Sequence, residues 1–311
     1  MKFRNQLLLS SLFSFAAFTA HASDYQCPTE GVYLQVLGAG GPELTTDNAS
    51  TSYLLWDDGK PKILLDAGPS TAQNFIKTGA KIADLDAILI SHMHVDHVAD
   101  LISLIKSSYF ETRDSSLPIY GPTANHLTPS MTEYMERLLG LNGLFPYLNN
   151  FIAEAPDETF SKANYKIHAH DIAPTIEPTQ LKIGSMKLES ADAMHGSVPA
   201  LAWSISYKGK TVFVTGDSSG PEHLATMAKS ADLIVAHNAL PESYSGHVEK
   251  LHMKPSTIAD IVADSQAHTL VFSHFLAQTN KSVEQANTQE MIEKSFSGKM
   301  SFANDFNCYA L

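Results

Sequence analysis

The junction at residues 91–101, SHMHVDHVADL, constrains this chain more than any other stretch. It follows an apolar run and precedes apolar residues at helical spacing, so it should link a strand to a helix. In extended backbone His92 and His94 point to the same side, and Asp96 and His97 follow at the start of the helix. Such side chains are costly to bury without partners. Because α/β proteins bind ligands beyond the carboxyl ends of their strands, the junction predicts a ligand site.

The residue types at this junction favour a metal. Imidazole nitrogens together with a carboxylate form a donor set that suits Zn²⁺. Three later apolar runs end in the same way, on His195, Asp217 and His274. Each of these would be an ordinary polar strand end if it stood alone. Because they repeat the pattern of the first junction, we expect them to complete one metal site.

Strand-like and helix-like segments alternate along both halves of the chain. This order predicts a layered α/β protein, with the sheets inside and the helices outside. The run 95–110 is expected to form one helix, because its apolar residues recur at helical spacing. Residues 124–160 are expected to form a mostly helical insertion.

The first 22 residues resemble a secretory signal peptide. Lys2 and Arg4 precede an apolar stretch of 14 residues, and Ala-His-Ala at 20–22 supplies a cleavage pattern. That stretch is short of the roughly 20 residues that a membrane span requires. We therefore expect one exported domain at residues 23–311, periplasmic or secreted, with no membrane association after cleavage.

Charge and cysteine content narrow the partners and the compartment. The chain has 21 basic and 33 acidic residues, a net charge of −12, and loss of Lys2 and Arg4 leaves 19 − 33 = −14. Such a surface repels polyanions, so no nucleic-acid partner is expected. The only cysteines are Cys27 and Cys308. An oxidising compartment would favour a disulfide between them, and two buried free thiols are the alternative.

The segment HMHVDH resembles the H-x-H-x-D-H signature of the metallo-β-lactamase superfamily, and LLDAG, TGD and SHF resemble its other motifs in the same order. The resemblance spans residues 31–275 and implies a four-layer αββα sandwich with a two-metal site along one edge. It implies two zinc ions per chain, with manganese or iron as alternatives. One ion would be bound by His92, His94 and His195, the other by Asp96, His97 and His274, with Asp217 bridging them. Asp66, in LLDAG, is implied to orient ligands.

The resemblance also implies a mechanism. Two metals activate a water that attacks an electrophilic centre, and Asp96 is expected to orient this nucleophile. His252 stands 22 residues before His274, as does a histidine in ribonuclease Z and its relatives that donates a proton or contacts the anion. A helix-opening histidine without a role is the alternative. His237 ends an apolar run and is a candidate to line the cleft, and Asn238 stands where ribonuclease Z would have a glutamate.

The expected export, the acidic charge and the lack of a separate Gly/Pro- and Lys-rich arm in the sequence argue against a tRNA substrate. We therefore expect a hydrolase of small phosphate or sulfate esters, of the phosphodiesterase or arylsulfatase type. One alternative is a lactone or β-lactam hydrolase with the same metal site. Another is a metal-binding protein without catalysis, against which the complete set of seven ligands argues. The sequence does not identify the oligomeric state.

Overall fold

Two seven-stranded sheets form the centre of the molecule in the computed structural model, which describes residues 25–44, 47–154 and 163–311. The predicted signal peptide lies outside these residues. The first sheet has the order β14-β1-β2-β3-β4-β5-β6. Its strands are β1 (Val32–Gly38), β2 (Ser52–Asp57), β3 (Lys60–Leu65), β4 (Ala87–Leu89), β5 (Leu117–Pro122), β6 (Ile167–Ile172) and β14 (Cys308–Ala310).

The second sheet has the order β13-β12-β11-β10-β9-β8-β7. Its strands are β7 (Thr179–Ile183), β8 (Met186–Asp192), β9 (Leu201–Tyr207), β10 (Lys210–Val214), β11 (Leu233–His237), β12 (Thr269–Ser273) and β13 (Lys299–Phe302). Both sheets are mixed: β3 to β6 run parallel, as do β10 to β13, and the remaining neighbours are antiparallel. Neighbouring parallel strands have their carboxyl ends at the same edge of the sheet. The candidate ligand residues come after the strands, at this edge.

Helices cover the outer face of each sheet. They are α1 (Thr71–Lys77), α2 (Val95–Val98), α3 (Leu101–Ser108), α4 (Met131–Leu139), α5 (His223–Ala228), α6 (Pro255–Val262) and α7 (Ser282–Ile292). Short 3-10 helices span Ile82–Asp84, Pro146–Phe151 and His247–Lys250. No helix of the described ranges is long and apolar enough to cross a membrane.

Three buried apolar clusters separate four layers. One contains Phe75 and Leu104 and lies between the first sheet and its helices. A second contains Trp203 and lies between the two sheets. The third, with Ile258 and Phe272, lies between the second sheet and its helices. This arrangement confirms the αββα sandwich.

The single helix expected at 95–110 is two helices, α2 and α3. They are separated because the amide of Asp100 donates to the carbonyl of Ala67, in the loop after β3, at 2.9 Å. In the expected insertion at 124–160, α4 and the 3-10 helix Pro146–Phe151 are the helical parts, and residues 155–160 lie outside the described ranges. Ser130 caps the start of α4, because its hydroxyl accepts a hydrogen bond from the amide of Glu133.

A disulfide joins Cys27 to Cys308, as expected. It connects the segment before β1 to β14, which pairs with β1 at the edge of the first sheet. The two ends of the described chain are therefore tied together on one strand pair.

Candidate metal centre

The segment carrying the H-x-H-x-D-H motif is fixed by the loop that follows β3. The amide of Ala67 donates to the carbonyl of His97 at 2.7 Å. A Cβ atom at Gly68 would overlap the carbonyl oxygen of Asp96, so only glycine permits this approach. The LLDAG motif thus sets the position of α2 and of the side chains at its start.

Asp66, in the same loop, orients one imidazole. The backbone of Asp66 is left-handed, with φ of 60°. Its buried carboxylate accepts hydrogen bonds from the amide of Ser91 at 2.7 Å and from the hydroxyl of Ser91 at 2.8 Å. Nδ1 of His97 lies 2.8 Å from the same carboxylate. Because an ionised carboxylate only accepts hydrogen bonds, Nδ1 carries the hydrogen and Nε2 is left as a donor atom for a metal. Asp66 therefore stands where the sequence led us to expect an orienting residue.

His92, His94 and His195, which we call the histidine group, converge from both sheets. Their ligand atoms all lie within 4.8 Å of one another. Nδ1 of His195 donates to the carbonyl of Leu251 at 2.7 Å, and its Nε2 lies 3.3 Å from Nδ1 of His94. Ligands of one tetrahedral zinc, at bonds of about 2.1 Å, are roughly 3.4 Å apart. The spacing fits one ion.

Asp96, His97 and His274, which we call the mixed group, form a second cluster. The Oδ2 atom of Asp96 lies 3.3 Å from Nε2 of His97 and 3.2 Å from Nε2 of His274. His274 follows the last residue of β12 and has a left-handed backbone with φ of 58°. A Cβ at Gly41 would lie only 3.0 Å from its ring, so the glycine leaves room for the imidazole.

Asp217 lies between the two groups. Its Oδ2 atom is 3.9 Å from Nε2 of His92, 3.9 Å from Nε2 of His195 and 3.6 Å from Nε2 of His97. Its Oδ1 atom is 3.1 Å from Nε2 of His274. The structure therefore brings together all seven residues that the sequence singled out as metal ligands.

Buried nitrogen atoms in this cluster test whether a metal fits. Nε2 of His92 and Nε2 of His97 are buried without a hydrogen-bond partner among the described residues. Buried polar atoms are nearly always hydrogen-bonded. Both atoms lie within 4 Å of Asp217 Oδ2, which is the geometry expected of nitrogens that coordinate metal ions.

The electrostatics of the cluster hold its side chains in the protonation states that can bind a metal, with one exception. Burial, reinforced by neighbouring histidines, lowers the pKa of His92, His94 and His195, so these rings are neutral. Burial alone would raise the pKa of Asp217, but His274 and His97 outweigh it and hold the pKa well below its usual range. The exception is His97. Burial opposes its charging, yet nearby carboxylates raise its pKa well above the ordinary value, so a metal must displace a proton there.

His252 lies beside the two groups but not at the start of a helix. It precedes α6, which begins at Pro255, because proline suits the first turn. Its Nδ1 atom is 3.8 Å from Asp217 Oδ2 and is buried without a described hydrogen-bond partner. With His195 and Asp217 it forms a third set of potential ligand atoms. Burial lowers the pKa of His252 to about 4.

Two further residues reach the site from behind Asp217. His237, at the end of β11, places Nδ1 2.7 Å from Asp217 Oδ1, and the hydroxyl of Tyr53 lies 2.9 Å from its Nε2. The sequence marked His237 only as a candidate to line the cleft. It gave no signal for Tyr53, which is one aromatic residue in an apolar strand.

Asn238 is buried, and its side-chain amide has no hydrogen-bond partner within the described ranges.

Comparisons with known proteins agree with this geometry. The family model of the β-lactamase superfamily domain matches residues 62–275, so the chain belongs to the β-lactamase superfamily. A ribonuclease Z of Listeria monocytogenes is 24% identical over 275 residues, covering 78% of this chain and 88% of the relative.

Two solved structures share the fold. The short form of human tRNase Z superposes with a TM-score of 0.69 at 18% identity, covering 89% of this chain and 98% of that chain. A metallo-β-lactamase fold protein of Bacillus subtilis gives 0.67 at 22% identity, covering 90% and 100%. At these identities the structural matches establish the architecture.

The predicted substrate was wrong. Curated relatives that cover most of this chain are ribonucleases Z, which contradicts both the small phosphate or sulfate ester substrate and the absence of a nucleic-acid partner. The physical reason lies in the charge argument. A net charge of −12 sums the whole chain and omits bound metals. Two divalent ions would place about four positive charges in the cleft and reverse its local sign.

Proposed function

We propose that this chain is a two-metal hydrolase that cleaves phosphodiester bonds of RNA, with zinc as the expected metal. One observation carries the proposal: the carboxylate of Asp217 stands between two donor groups and beside His252. The relatives support the substrate class, because ribonuclease Z resembles most of this chain.

The same residues that the sequence singled out are proposed to hold the ions. The histidine group would hold one ion, the mixed group the other, and Asp217 would contact both. When bound, such a pair supplies Lewis-acid stabilisation of developing negative charge and lowers the pKa of water. Asp96, whose Oδ2 lies beside Nε2 of His97 and Nε2 of His274, would accept a hydrogen bond from the attacking water and so orient it.

His252 is proposed to serve the leaving group. Its Nδ1 atom faces Asp217, which leaves Nε2 to hold a proton toward the substrate. A phosphodiester anion beside the ring would raise the pKa from about 4, because an opposite charge favours the imidazolium. His252 would then donate a proton to the departing ribose oxygen. This role has no carboxylate at position 238 to support it, since Asn238 stands there.

The composition of the cleft sets how the RNA should bind. Affinity for nucleic acid falls with salt in proportion to the number of phosphates that Lys and Arg neutralise. The side chains grouped around Asp217 are histidines, Asp96 and Tyr53, with no Lys or Arg among them, so few such contacts are expected there. We therefore expect weak binding with a shallow salt dependence.

The experiment measures cleavage of end-labelled tRNA transcripts, unstructured RNA and DNA of the same sequence by the zinc-loaded chain. We expect RNA to be cleaved, a chelator to stop the reaction and added zinc to restore it. His168→Ala is a matched control, because His168 is an exposed histidine on β6, outside the metal cluster. A chain that holds two metals and leaves every RNA intact would refute the proposal.

We also propose that the protein is exported to an oxidising compartment. The Cys27–Cys308 disulfide supports this, because such bonds persist outside the reducing cytosol. Fractionation of the native host should recover a disulfide-bonded chain shortened by about 22 residues, as expected for a cleaved signal peptide. A full-length, reduced chain in the cytosol would contradict export.

A further inference from the structure

A chain of hydrogen bonds joins Tyr53, His237 and Asp217 behind the metal site. The hydroxyl of Tyr53 lies 2.9 Å from Nε2 of His237, and Nδ1 of His237 lies 2.7 Å from Oδ1 of Asp217. All three side chains are buried, at 0%, 1% and 2% exposure respectively. The ring of His237 also stacks on that of His274, with centroids 4.9 Å apart and planes at 12°.

The direction of these hydrogen bonds follows from the groups involved. An ionised carboxylate only accepts, so Nδ1 of His237 must carry the hydrogen that points at Asp217. In the neutral imidazole Nε2 then has a free lone pair. The hydroxyl of Tyr53 donates to it and completes the chain.

We propose that His237 and Tyr53 are positioning residues that fix the orientation in which the carboxylate of Asp217 faces both groups at once. Oδ1 accepts the hydrogen bond from His237 at 2.7 Å and also lies 3.1 Å from Nε2 of His274. Oδ2 is the atom that lies 3.6–3.9 Å from ligand nitrogens of both groups. The inference concerns metal binding, so it rests on the two-metal site and not on the identity of the substrate.

The placement of the chain in the fold explains why it matters. Tyr53 lies on β2 of the first sheet, and His237 ends β11 of the second. The segment of the first sheet supplies four ligands, and the second sheet supplies His195, Asp217 and His274. Through His237, Tyr53 therefore connects the carboxylate of Asp217, in the second sheet, to the first sheet, whose segment carries the other four ligands.

Three variants separate this role from simple packing. His237→Asn retains an amide near the position of Nδ1, so it still donates to Asp217. His237→Gln places its amide near the position of Nε2 and loses that donor. Tyr53→Phe removes one hydroxyl and keeps the ring. Tyr309→Phe is the matched control, because Tyr309 is also buried and its hydroxyl lies 2.9 Å from that of Ser301, among residues outside the cluster.

The readouts are the zinc affinity of each variant, by competition with a chromophoric chelator, and the visible spectrum of the Co²⁺-substituted protein. Partners that orient a ligand are typically worth 10–100-fold in metal affinity, so His237→Gln should weaken binding by about that factor. Tyr53→Phe should weaken it by about 10-fold on the same basis, and His237→Asn by less. His237→Gln and Tyr53→Phe should also shift the Co²⁺ spectrum, while Tyr309→Phe should match the parent.

The proposal is overturned if His237→Gln and Tyr53→Phe bind both ions with the parent affinity and spectrum. It is also overturned if Asn and Gln at position 237 weaken binding equally, since this would mean that the ring only fills space. Metal-free thermal unfolding of each variant identifies any loss that arises from misfolding. If the parent protein binds two ions but cleaves no RNA, the proposed substrate fails and this inference stands.

Discussion

The histidine group and the mixed group differ in charge and in what supports them. The histidine group, His92, His94 and His195, contains no carboxylate of its own. Its supports are neutral: the hydroxyl of Ser91 lies 3.1 Å from Nδ1 of His92, and the carbonyl of Leu251 accepts from His195. The mixed group contains Asp96, and its His97 is held by the carboxylate of Asp66. One group thus presents neutral donors, and the other presents a buried negative charge.

This difference predicts an order of metal binding. A carboxylate ligand and a carboxylate partner both strengthen the attraction of a divalent ion, more so in a buried site. His94 is only partly buried, whereas His97 and His274 are fully buried. We therefore infer that the mixed group holds its ion more tightly and that the histidine group releases its ion first. The following variants test that ranking.

Asp217→Ala should have the largest effect, because Asp217 is the residue shared by both groups. Loss of a shared ligand should exceed the roughly 10–100-fold cost of an orienting residue and remove nearly all activity. Metal analysis and turnover measure both effects. Asp57→Ala is the control, since Asp57 is also buried but lies at the far end of β2. If Asp217→Ala kept its full metal content and normal turnover, Asp217 would not be the residue that links the two groups.

His252→Ala should separate catalysis from metal binding. It should keep both ions and lose turnover by about 10²–10⁴-fold, the usual range for a general acid. The loss should shrink when the leaving group is a nitrophenolate, which hardly needs a proton, and grow when it is an alkoxide. Equal, small losses with both leaving groups would exclude a proton-donating role. Loss of one ion would instead make His252 a ligand, as its closeness to His195 and Asp217 allows.

Asp66→Asn tests the ranking of the two groups directly. The amide keeps the size of the side chain but removes the charge that supports His97, so the mixed group should bind its ion about 10–100-fold more weakly. The histidine group, which Asp66 reaches only through the hydroxyl of Ser91, should lose much less affinity. Stepwise zinc titration of the variant and of Asp57→Asn checks this. A selective loss at the histidine group would reverse the inferred order.

The distance along the chain between interacting residues explains which parts of the site the sequence could predict. Four of the proposed ligands lie within one contiguous motif, and each of the others follows an apolar strand. Local spacing was therefore enough to mark the seven residues that the structure brings together, and their binding of metal stays a prediction. Tyr53 could not be found in this way, because its partner is 184 residues away and in the other sheet. His252 was expected to open a helix, but Pro255 sets the start of α6 three residues later. The substrate was missed because net charge is a property of the whole chain and the cleft is local.

Removing the disulfide should have the smallest effect on the two groups. The bond joins Cys27 to Cys308 on β14, at the edge of the first sheet, while β4, which precedes the motif, is four strands away in that sheet. Cys27→Ser with Cys308→Ser should lower the free energy of unfolding by up to about 5 kcal/mol, because the bond closes a long loop in the unfolded chain. Zinc affinity at both groups should stay the same. Denaturant unfolding and zinc competition measure the two effects. A loss of zinc affinity before unfolding begins would show that the edge of the sheet helps to position the ligands.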